Sequence, residues 1–343
     1  MQSRKIYLMC PDNKLPSGGV KQLYRFAEIL QKNGYEAYIL HNKKNFKATW
    51  FQHSIKIVYS NFIFKTVNNV LNNKKPNLFS KIKLSYYQKT SHKLESNALL
   101  IIPEIYTRGI KDLPHGIDKV IFNQNCYYTF NGYNSQDNII YNPFTNPEVK
   151  GNIVASIDAM EYLQHAFPTT KTYKIRLGID HTIFNLSKAK RKQIAYMPRK
   201  LSEDVNQVIT ILKLRQKLTD WEFVAIDGLD ESGVSSIMKE SAIFLSFNHR
   251  EGFGLPPAEA MACGCLVIGY QGGGGKEYFK NEFSYPIEDG NIIQFAKTVE
   301  DVIAKHSFED IVHKGQVASE FILQNYSLEN EQKDVLEVIK KFI

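Results

Sequence analysis

The sequence has few cysteines and no long apolar run. Four cysteines in 343 residues are too few for a disulfide-built scaffold. Cys263 and Cys265 have no further His or Cys at metal-ligand spacing, which predicts buried, reduced thiols. No apolar stretch reaches the roughly 18 residues that a membrane-spanning helix needs, and Met1–Cys10 lacks the features of a signal peptide. These absences predict a soluble, intracellular chain.

Length and composition are those of a globular protein. Hydrophobic residues make up 43% of the chain and charged residues 23%, which excludes wholesale disorder and fibrous architectures. Because a single core usually stops growing at roughly 250–300 residues, the 343 residues predict two domains.

Negative charge is missing from one segment. Residues 37–94 contain no Asp, Glu or Arg but eleven lysines, whereas the rest of the chain is net acidic. Aromatic residues are interleaved with these lysines. Three interpretations stay open: an anionic membrane surface, a polyanionic acceptor, or a face that is only solvated. Nucleic acid is not an expected partner, because no helix-turn-helix or zinc spacing accompanies the charge. The lysines are Lys43, Lys44, Lys47, Lys56, Lys65, Lys74, Lys75, Lys81, Lys83, Lys89 and Lys93.

Apolar runs alternate with helical patterns from the start of the chain. A strand at Lys5–Cys10, a helix with an apolar face from Val20 to Leu30 and a strand at Glu36–His41 form the β–α–β opening of a doubly wound sheet. Further strands of the first half are predicted at Ala98–Ile102, Lys119–Asn123, Ile153–Ile157 and Tyr173–Leu177.

A polar stretch divides the two halves. Asp180–Gln193 has no clear strand pattern and predicts a linker, after which the alternation restarts with Ile194–Met197. We therefore expect an α/β fold of two Rossmann-like domains, residues 1–185 on the acceptor side and residues 186–343 on the donor side. The terminal helix of the second domain is a candidate to pack back on the first.

The segment Ser246–Glu277 carries the motif with the most chemical information. Glu251 and Glu259 are separated by seven residues, Gly252 and Gly254 follow the first acid, and two prolines lead into a helix. A glycine turn before a helix N-terminus presents N–H groups that suit a diphosphate. Carboxylates accept pairs of hydrogen bonds from hydroxyl groups. The pattern predicts a diphosphate on the turn, with Glu259 near a ribose and Glu251 near an attached sugar.

The block from Glu251 to Glu259 resembles the E-x7-E motif of the retaining family-four, or group 1, glycosyltransferases, whose GT-B fold pairs two Rossmann-like domains across a cleft. Three further features follow the family's order: Gly18-Gly19 after the first strand, Arg176-LGID-His181-TIF near the end of the first domain, and Gly272–Gly275 with Glu277. The resemblance implies sugar transfer from a nucleotide sugar to an acceptor, with retention of anomeric configuration. It also implies no essential metal and no other cofactor.

Two positions depart from the family pattern. Family members pair an Arg with a Lys five or six residues later to neutralise the donor diphosphate. Arg199 fits the first role, but Asp204 and Val205 stand where the Lys is usual, so Lys200 is the expected substitute. Many relatives also place a His where this chain has Asn123, which can hydrogen-bond a sugar but cannot act as a base.

The sequence thus predicts a cytoplasmic glycosyltransferase with a glycan or lipid-linked acceptor, either free or peripheral on the inner face of a membrane. Alternatives are a nucleotide-sugar epimerase or a phosphorylase on the same fold, and a non-catalytic protein that binds anions through residues 37–94. The predicted catalytic residues are Glu251, Arg199 and Lys200, and the predicted donor-binding residues are Glu259, Gly252, Phe253, Gly254, Leu255, Gly18, Gly19, Asn123 and Glu277.

Overall fold

A computed structural model describes residues 4–74 and 77–343, so Lys75 of the basic segment lies outside the described residues. The chain forms two compact units. The first contains the residues up to Ala155 together with Ala159–Ile175 and Gln332–Ile343. The second contains Ser156–Asp158 and Arg176–Glu331.

A seven-stranded sheet is the centre of the first unit. All neighbouring strands are parallel, in the order β3-β2-β1-β4-β5-β6-β7, which is the doubly wound arrangement predicted from the sequence. The central strands are buried along their whole length, as expected for a parallel sheet covered on both faces. The strands are β1 (Ile6–Met9), β2 (Ala37–His41), β3 (Ile57–Tyr59), β4 (Leu99–Pro103), β5 (Asp118–Asn123), β6 (Val149–Val154) and β7 (Thr172–Lys174).

The first helix turns its predicted face to the core. Val20, Leu23, Phe26, Ala27 and Leu30 of this helix are buried, and each fully buried side chain of Val or larger contributes about 1.5–3 kcal/mol. The helices of this half of the chain are α1 (Gly18–Lys32), α2 (Asn61–Leu71), α3 (Leu78–Thr90) and α4 (Ile157–Ala166). Short 3-10 segments cover Glu104–Asp112, Cys126–Tyr128 and Pro143–Thr145.

The second unit contains a five-stranded parallel sheet in the order β12-β11-β10-β8-β9. Its core joins side chains of β10 and β11 to those of two helices, for example Leu245, Ile268, Val208 and Phe295. The strands are β8 (Arg191–Tyr196), β9 (Glu222–Ala225), β10 (Ser241–Glu251), β11 (Leu266–Gly273) and β12 (Ser284–Ile287). The helices are α5 (Ser202–Arg215), α6 (Glu231–Glu240), α7 (Leu255–Ala262), α8 (Ile292–Lys305), α9 (Phe308–Asn325) and α10 (Leu328–Ile339), and a 3-10 turn covers Gly274–Glu277.

The structure corrects one predicted strand. The apolar pattern predicts a strand at Ile153–Ile157, whereas β6 covers Val149–Val154 and Ile157 begins α4. The prediction began too late because Gly151, which lies inside β6, interrupts the apolar pattern of the sequence. A Cβ at this position would lie 2.8 Å from the carbonyl oxygen of Lys171, so the close approach of the neighbouring backbone requires glycine there.

The sequence predicts a division between the domains after residue 185, and the division between the two units lies elsewhere. Residues 176–185 belong to the second unit. There the N–H of Ile179 donates to the carbonyl of Tyr326 at 2.8 Å, and the hydroxyl of Ser235 donates to the carbonyl of Ile183 at 2.6 Å. The last residues, Gln332–Ile343, belong to the first unit, where Arg4 donates to the carbonyl of Phe342 at 2.7 Å.

Two further expectations concern cysteines and membrane spans. All four cysteines are buried free thiols, which confirms the prediction for Cys263 and Cys265. Among the described residues, no helix combines the length and the apolar character that crossing a membrane requires.

Candidate active site

The predicted acid motif lies at the carboxyl end of β10. Glu251 is the last residue of this strand and pairs with Gly273 of β11 after a register shift between Asn248 and Glu251. The chain then turns through Gly252–Gly254, here called the first glycine loop, and α7 begins at Leu255 with a proline in its first turn. Gly254 caps the helix with φ +85°, a conformation that glycine adopts without steric cost. The predicted strand–turn–helix context of the motif is confirmed.

A second glycine loop lies against the first. This second glycine loop, residues 272–275, begins with the last two residues of β11, and Gly272 and Gly273 both have positive φ. A Cβ on Gly274 would lie 2.1 Å from the carbonyl oxygen of Gly252, so the two backbones touch where any side chain would separate them. The structure therefore brings together the two glycine segments of the second unit that the sequence singled out.

Glu251, the acid directly before the first glycine loop, is paired with a predicted cation. The ammonium group of Lys200 forms an ion pair and hydrogen bond with the carboxylate of Glu251. The side chains of Lys200 and Glu251 are 46% and 24% exposed, so solvent screens the pair and its net contribution to stability is about 0–1 kcal/mol. Such a pair can be exchanged for contacts with a ligand at small cost.

Arg199 lies beside Lys200 in the loop after β8. Its guanidinium Nε is 3.5 Å from the Oδ1 atom of Asp227, and its side chain is 81% exposed. Asp204, which stands where relatives of the motif carry a Lys, accepts a hydrogen bond from the Tyr270 hydroxyl at 2.9 Å. In this chain Asp204 therefore makes a hydrogen bond within the second unit. Both predicted cations, Arg199 and Lys200, lie in the loop before α5.

Tyr278 is the residue at this site that sequence reasoning missed. It is fully buried, and its hydroxyl donates to the carbonyl oxygens of Gly254 at 2.6 Å and Phe253 at 3.1 Å. Burial raises the pKa of the Tyr278 phenol well above its ordinary value, and Tyr326 and the acids Glu251, Glu277 and Glu259 act in the same direction. The phenol therefore stays protonated, and its hydrogen bonds fix the backbone of the first glycine loop. An aromatic residue directly after the Gly-Gly-x-x-Glu segment was the available signal.

The remaining residues of the second unit occupy different environments. Phe253 is buried and its ring packs against the rings of Tyr278 and Tyr326, so only its backbone is available to a ligand. Glu259 lies on α7 and is half-exposed. The two carboxylate oxygens of Glu277 accept hydrogen bonds from the Tyr326 hydroxyl and the N–H of Ile157, both at 2.9 Å, and its contact with a donor stays a prediction.

The predicted residues of the first unit lie at the start of α1 and at the end of β5. Gly18 and Gly19 open this helix, and a Cβ on Gly19 would lie 3.3 Å from the side-chain oxygen of Gln124. Asn123, at the end of β5, is 1% exposed and donates to the hydroxyl of Thr129 at 2.8 Å. The half-exposed Gln124 therefore lies nearer to the helix start than the predicted Asn123, whose sugar contact stays a prediction.

Glu104 supports the same edge of the first sheet and was not predicted. It follows β4, is 5% exposed and accepts a hydrogen bond from the N–H of Gln124 at 3.1 Å. Burial raises the pKa of Glu104 from 4.5 to about 7, although the backbone N–H donors of Gln124 and Asn125 oppose the shift. The signal in the sequence was an acid directly after an apolar strand.

The fold of the chain is similar to the folds of solved structures. Over 98% of its length the chain is similar to sucrose-phosphate synthase from Thermosynechococcus elongatus (14% identity, TM-score 0.69, 98% of that chain). It is also similar to a variant of S. aureus TarM solved with fondaparinux, α-GlcNAc-glycerol and UDP (12% identity, TM-score 0.70, 98% of this chain and 99% of that one). At such low identity the likeness establishes the fold, which is GT-B.

Part of the chain is similar to a known sequence family. Residues 222–314, which include the acid motif and both glycine loops, match the model of the family "Glycosyl transferases group 1". An α-1,6-glucosyltransferase of Actinobacillus pleuropneumoniae serotype 7 is 31% identical over 184 residues, or 52% of this chain and 54% of that protein. The chain thus matches about half the length of this relative. Both similarities agree with the family predicted from the motif, the group 1 glycosyltransferases.

Proposed function

We propose that this protein is a retaining glycosyltransferase that moves a sugar from a nucleotide sugar to a glycan or lipid-linked acceptor on the cytoplasmic side of a membrane. The observation that carries the proposal is the position of Glu251 and Glu259 on either side of a glycine loop that opens onto α7. Because the relative is named a glucosyltransferase and the TarM structure contains UDP, UDP-glucose is the first donor to test.

The second unit offers complementary groups to the two parts of such a donor. The N–H groups at the start of α7 and the cations Arg199 and Lys200 suit the diphosphate. Glu251 suits the sugar hydroxyls and Glu259 suits the ribose hydroxyls, because a carboxylate accepts charge-assisted hydrogen bonds. On donor binding, Lys200 exchanges its screened ion pair with Glu251 for the phosphate, which leaves Glu251 free for the sugar.

The reaction breaks the bond between the anomeric carbon and the donor phosphate oxygen. The bonding electron pair leaves with the diphosphate, the acceptor oxygen forms the new bond on the same face, and the acceptor proton passes to the departing phosphate oxygen. Stabilising the leaving diphosphate is therefore the main electrostatic task of the site. Arg199, Lys200 and the N-terminus of α7 supply positive charge for it, so the proposal includes activity without an essential metal.

The first test is donor binding followed by product analysis. A ligand that prefers the native state raises its melting temperature, so UDP and UDP-glucose are expected to shift it and to do so less in Glu259→Ala. Transfer to an acceptor is then followed by the coupling constant of the anomeric proton, where retention predicts an α-linked product from an α-linked donor. Undiminished turnover in EDTA is the expected result for metal independence.

Other outcomes of this test contradict the proposal. Isomerisation of the donor without an acceptor would indicate an epimerase, and covalently bound pyridoxal phosphate would indicate a phosphorylase. The absence of any nucleotide-dependent shift, together with anion binding that survives Glu251→Ala, would indicate a non-catalytic anion-binding protein.

The basic segment 37–94 supports an anionic partner for the same protein. Nine of its lysines are exposed, namely Lys43, Lys44, Lys47, Lys56, Lys74, Lys81, Lys83, Lys89 and Lys93. Such a one-signed surface attracts anionic lipid headgroups or a polyanionic acceptor. We include this attraction in the proposal as the means by which the enzyme reaches a glycan or lipid-linked acceptor.

A further inference from the structure

The helix α3 turns four large apolar side chains to solvent. Leu78, Phe79, Ile82 and Tyr86 are 72%, 83%, 61% and 63% exposed. At 100° per residue their positions fall within an arc of about 100° on one side of the helix. They are four of the fifteen large hydrophobic side chains exposed in the described part of the chain. Single exposed apolar residues are ordinary, but a contiguous group marks an interaction surface.

The opposite side of α3 already attaches the helix to its unit. Ser80, Leu84 and Tyr87 recur at i, i+4 and i+7, are less exposed than the outward residues, and lie on the side away from them. The helix packs against α2. The outward apolar residues, here called the α3 stripe (Leu78, Phe79, Ile82 and Tyr86), are therefore not needed to hold the helix in place.

Positive charge flanks the α3 stripe. Lys81 and Lys83 project on its two sides and Lys89 lies at its C-terminal end, and all three side chains are exposed. Residues 37–94 supply no carboxylate to neutralise them, and among the described residues no ion pair with Asp or Glu engages these three lysines. The ammonium group of Lys83 lies 5.7 Å from the centre of the Tyr87 ring. An apolar stripe flanked by lysines without a carboxylate partner is the pattern of a helix that lies in the interface of an anionic bilayer.

We infer that α3 docks this protein on an anionic membrane, with the α3 stripe entering the boundary between headgroups and acyl chains while the three lysines contact lipid phosphates. This inference deepens the proposed function by choosing the bilayer over a soluble polyanion. A soluble polyanion would engage the lysines but leave the stripe in water, whereas an anionic bilayer accommodates both. Each lysine near such a surface contributes about fivefold to partitioning.

Vesicle co-sedimentation of the full chain tests the inference. Wild-type protein is expected to bind vesicles of phosphatidylcholine that contain about 30 mol% phosphatidylglycerol. It is expected to bind vesicles of pure phosphatidylcholine far more weakly. Phe79→Ser with Ile82→Ser is expected to weaken binding at least about twentyfold. The triple change Lys81→Gln, Lys83→Gln and Lys89→Gln is expected to weaken it about a hundredfold. These residues are exposed, so the fold is expected to be retained.

Leu214→Ser is the matched control. Leu214 on α5 is 76% exposed and flanked by Lys213 and Arg215, but it is the only large hydrophobic residue exposed on that helix. Its change is expected to leave vesicle binding as in wild type. Insertion is read directly with Phe79→Trp, whose fluorescence should shift to the blue on anionic vesicles, while Leu214→Trp should not respond.

The outcomes separate this inference from the proposed function. Binding that survives the Phe79 and Ile82 changes but not the lysine changes would mean a purely electrostatic contact and would overturn the inference, as would absence of wild-type binding. The UDP-dependent melting shift is measured on the same variants and is expected to be unchanged. Its absence in every variant would refute the proposed function while leaving the vesicle result to stand alone.

Discussion

The two parallel sheets carry different chemistry at their carboxyl ends. At the end of β10, Glu251 is partly exposed, paired with a cation and followed by a glycine loop. At the end of β4, Glu104 is buried without a cationic partner among the described residues and accepts backbone N–H groups instead. One acid can bind a ligand at small cost, whereas the other stabilises a loop. The same sheet topology thus yields a binding edge or a supporting edge according to the residues after the strands.

The largest effect expected from this comparison is the loss of transfer in Glu251→Ala. Removing the acid that is proposed to contact the sugar should lower kcat about 10²–10³-fold, while the melting temperature changes little because the Lys200 pair is screened. Steady-state kinetics with saturating donor measures the effect. Glu282→Ala, an exposed acid of the same unit, is the control. Equal activity of both variants would remove Glu251 from the site.

Glu104, the acid of the supporting edge, should make the stability of the first unit depend on pH. Because burial raises the pKa of Glu104 to about 7 in the folded chain against 4.5 when unfolded, the folded state holds the extra proton. The first unit is then expected to lose about 2–3 kcal/mol of stability as the pH rises from 4.5 to 7. Glu104→Gln keeps an acceptor for Gln124 and should remove this slope. Hydrogen exchange of β4 and β5 amides measures it.

Glu148 provides a control of opposite sign in the same unit. Burial works to raise its pKa, but the hydrogen bonds from Lys119 and from the Gly116 N–H outweigh burial and lower the pKa. Its contribution is therefore present at neutral pH and lost as the pH falls below its unfolded value. If Glu104→Gln and Glu148→Gln changed the pH profile in the same direction, the contrast between a buried unpaired acid and a paired one would be wrong.

The sequence predicted those strands and loops at the carboxyl ends of the two sheets that are specified by a short stretch of residues. Apolar runs identified most strands, and the Glu251 motif identified the first glycine loop. The short strand β3 and the helices α2 and α3 were not predicted. In α3 both the inward and the outward sides carry apolar residues, so the helical period is blurred. Glu104 and Tyr278 were missed because their roles depend on burial and on contacts with residues distant in sequence.

The proposed ribose-binding role of Glu259 gives a further test on the binding side of the comparison. Glu259→Ala should weaken UDP affinity about 10–100-fold, as expected for the loss of charge-assisted hydrogen bonds, with a smaller effect on kcat at saturating donor. Isothermal titration with UDP and kinetics with UDP-glucose measure the two quantities. A variant that loses kcat but keeps UDP affinity would place Glu259 near the sugar instead of the ribose.

The smallest expected effect comes from Tyr278, a buried residue that stabilises the binding edge of the second sheet. Tyr278→Phe removes the hydroxyl that donates to Gly254 and Phe253, so two buried carbonyls lose a donor and the second unit should lose about 1–2 kcal/mol. Since these carbonyls belong to the first glycine loop, UDP affinity should also fall about three- to fivefold, roughly 1 kcal/mol. Tyr285→Phe deletes a hydroxyl bonded to His306 at 2.9 Å and should reduce stability without changing UDP affinity. If the two variants behaved alike toward UDP, Tyr278 would only stabilise the unit, and the binding edge would be held in shape by its glycines alone.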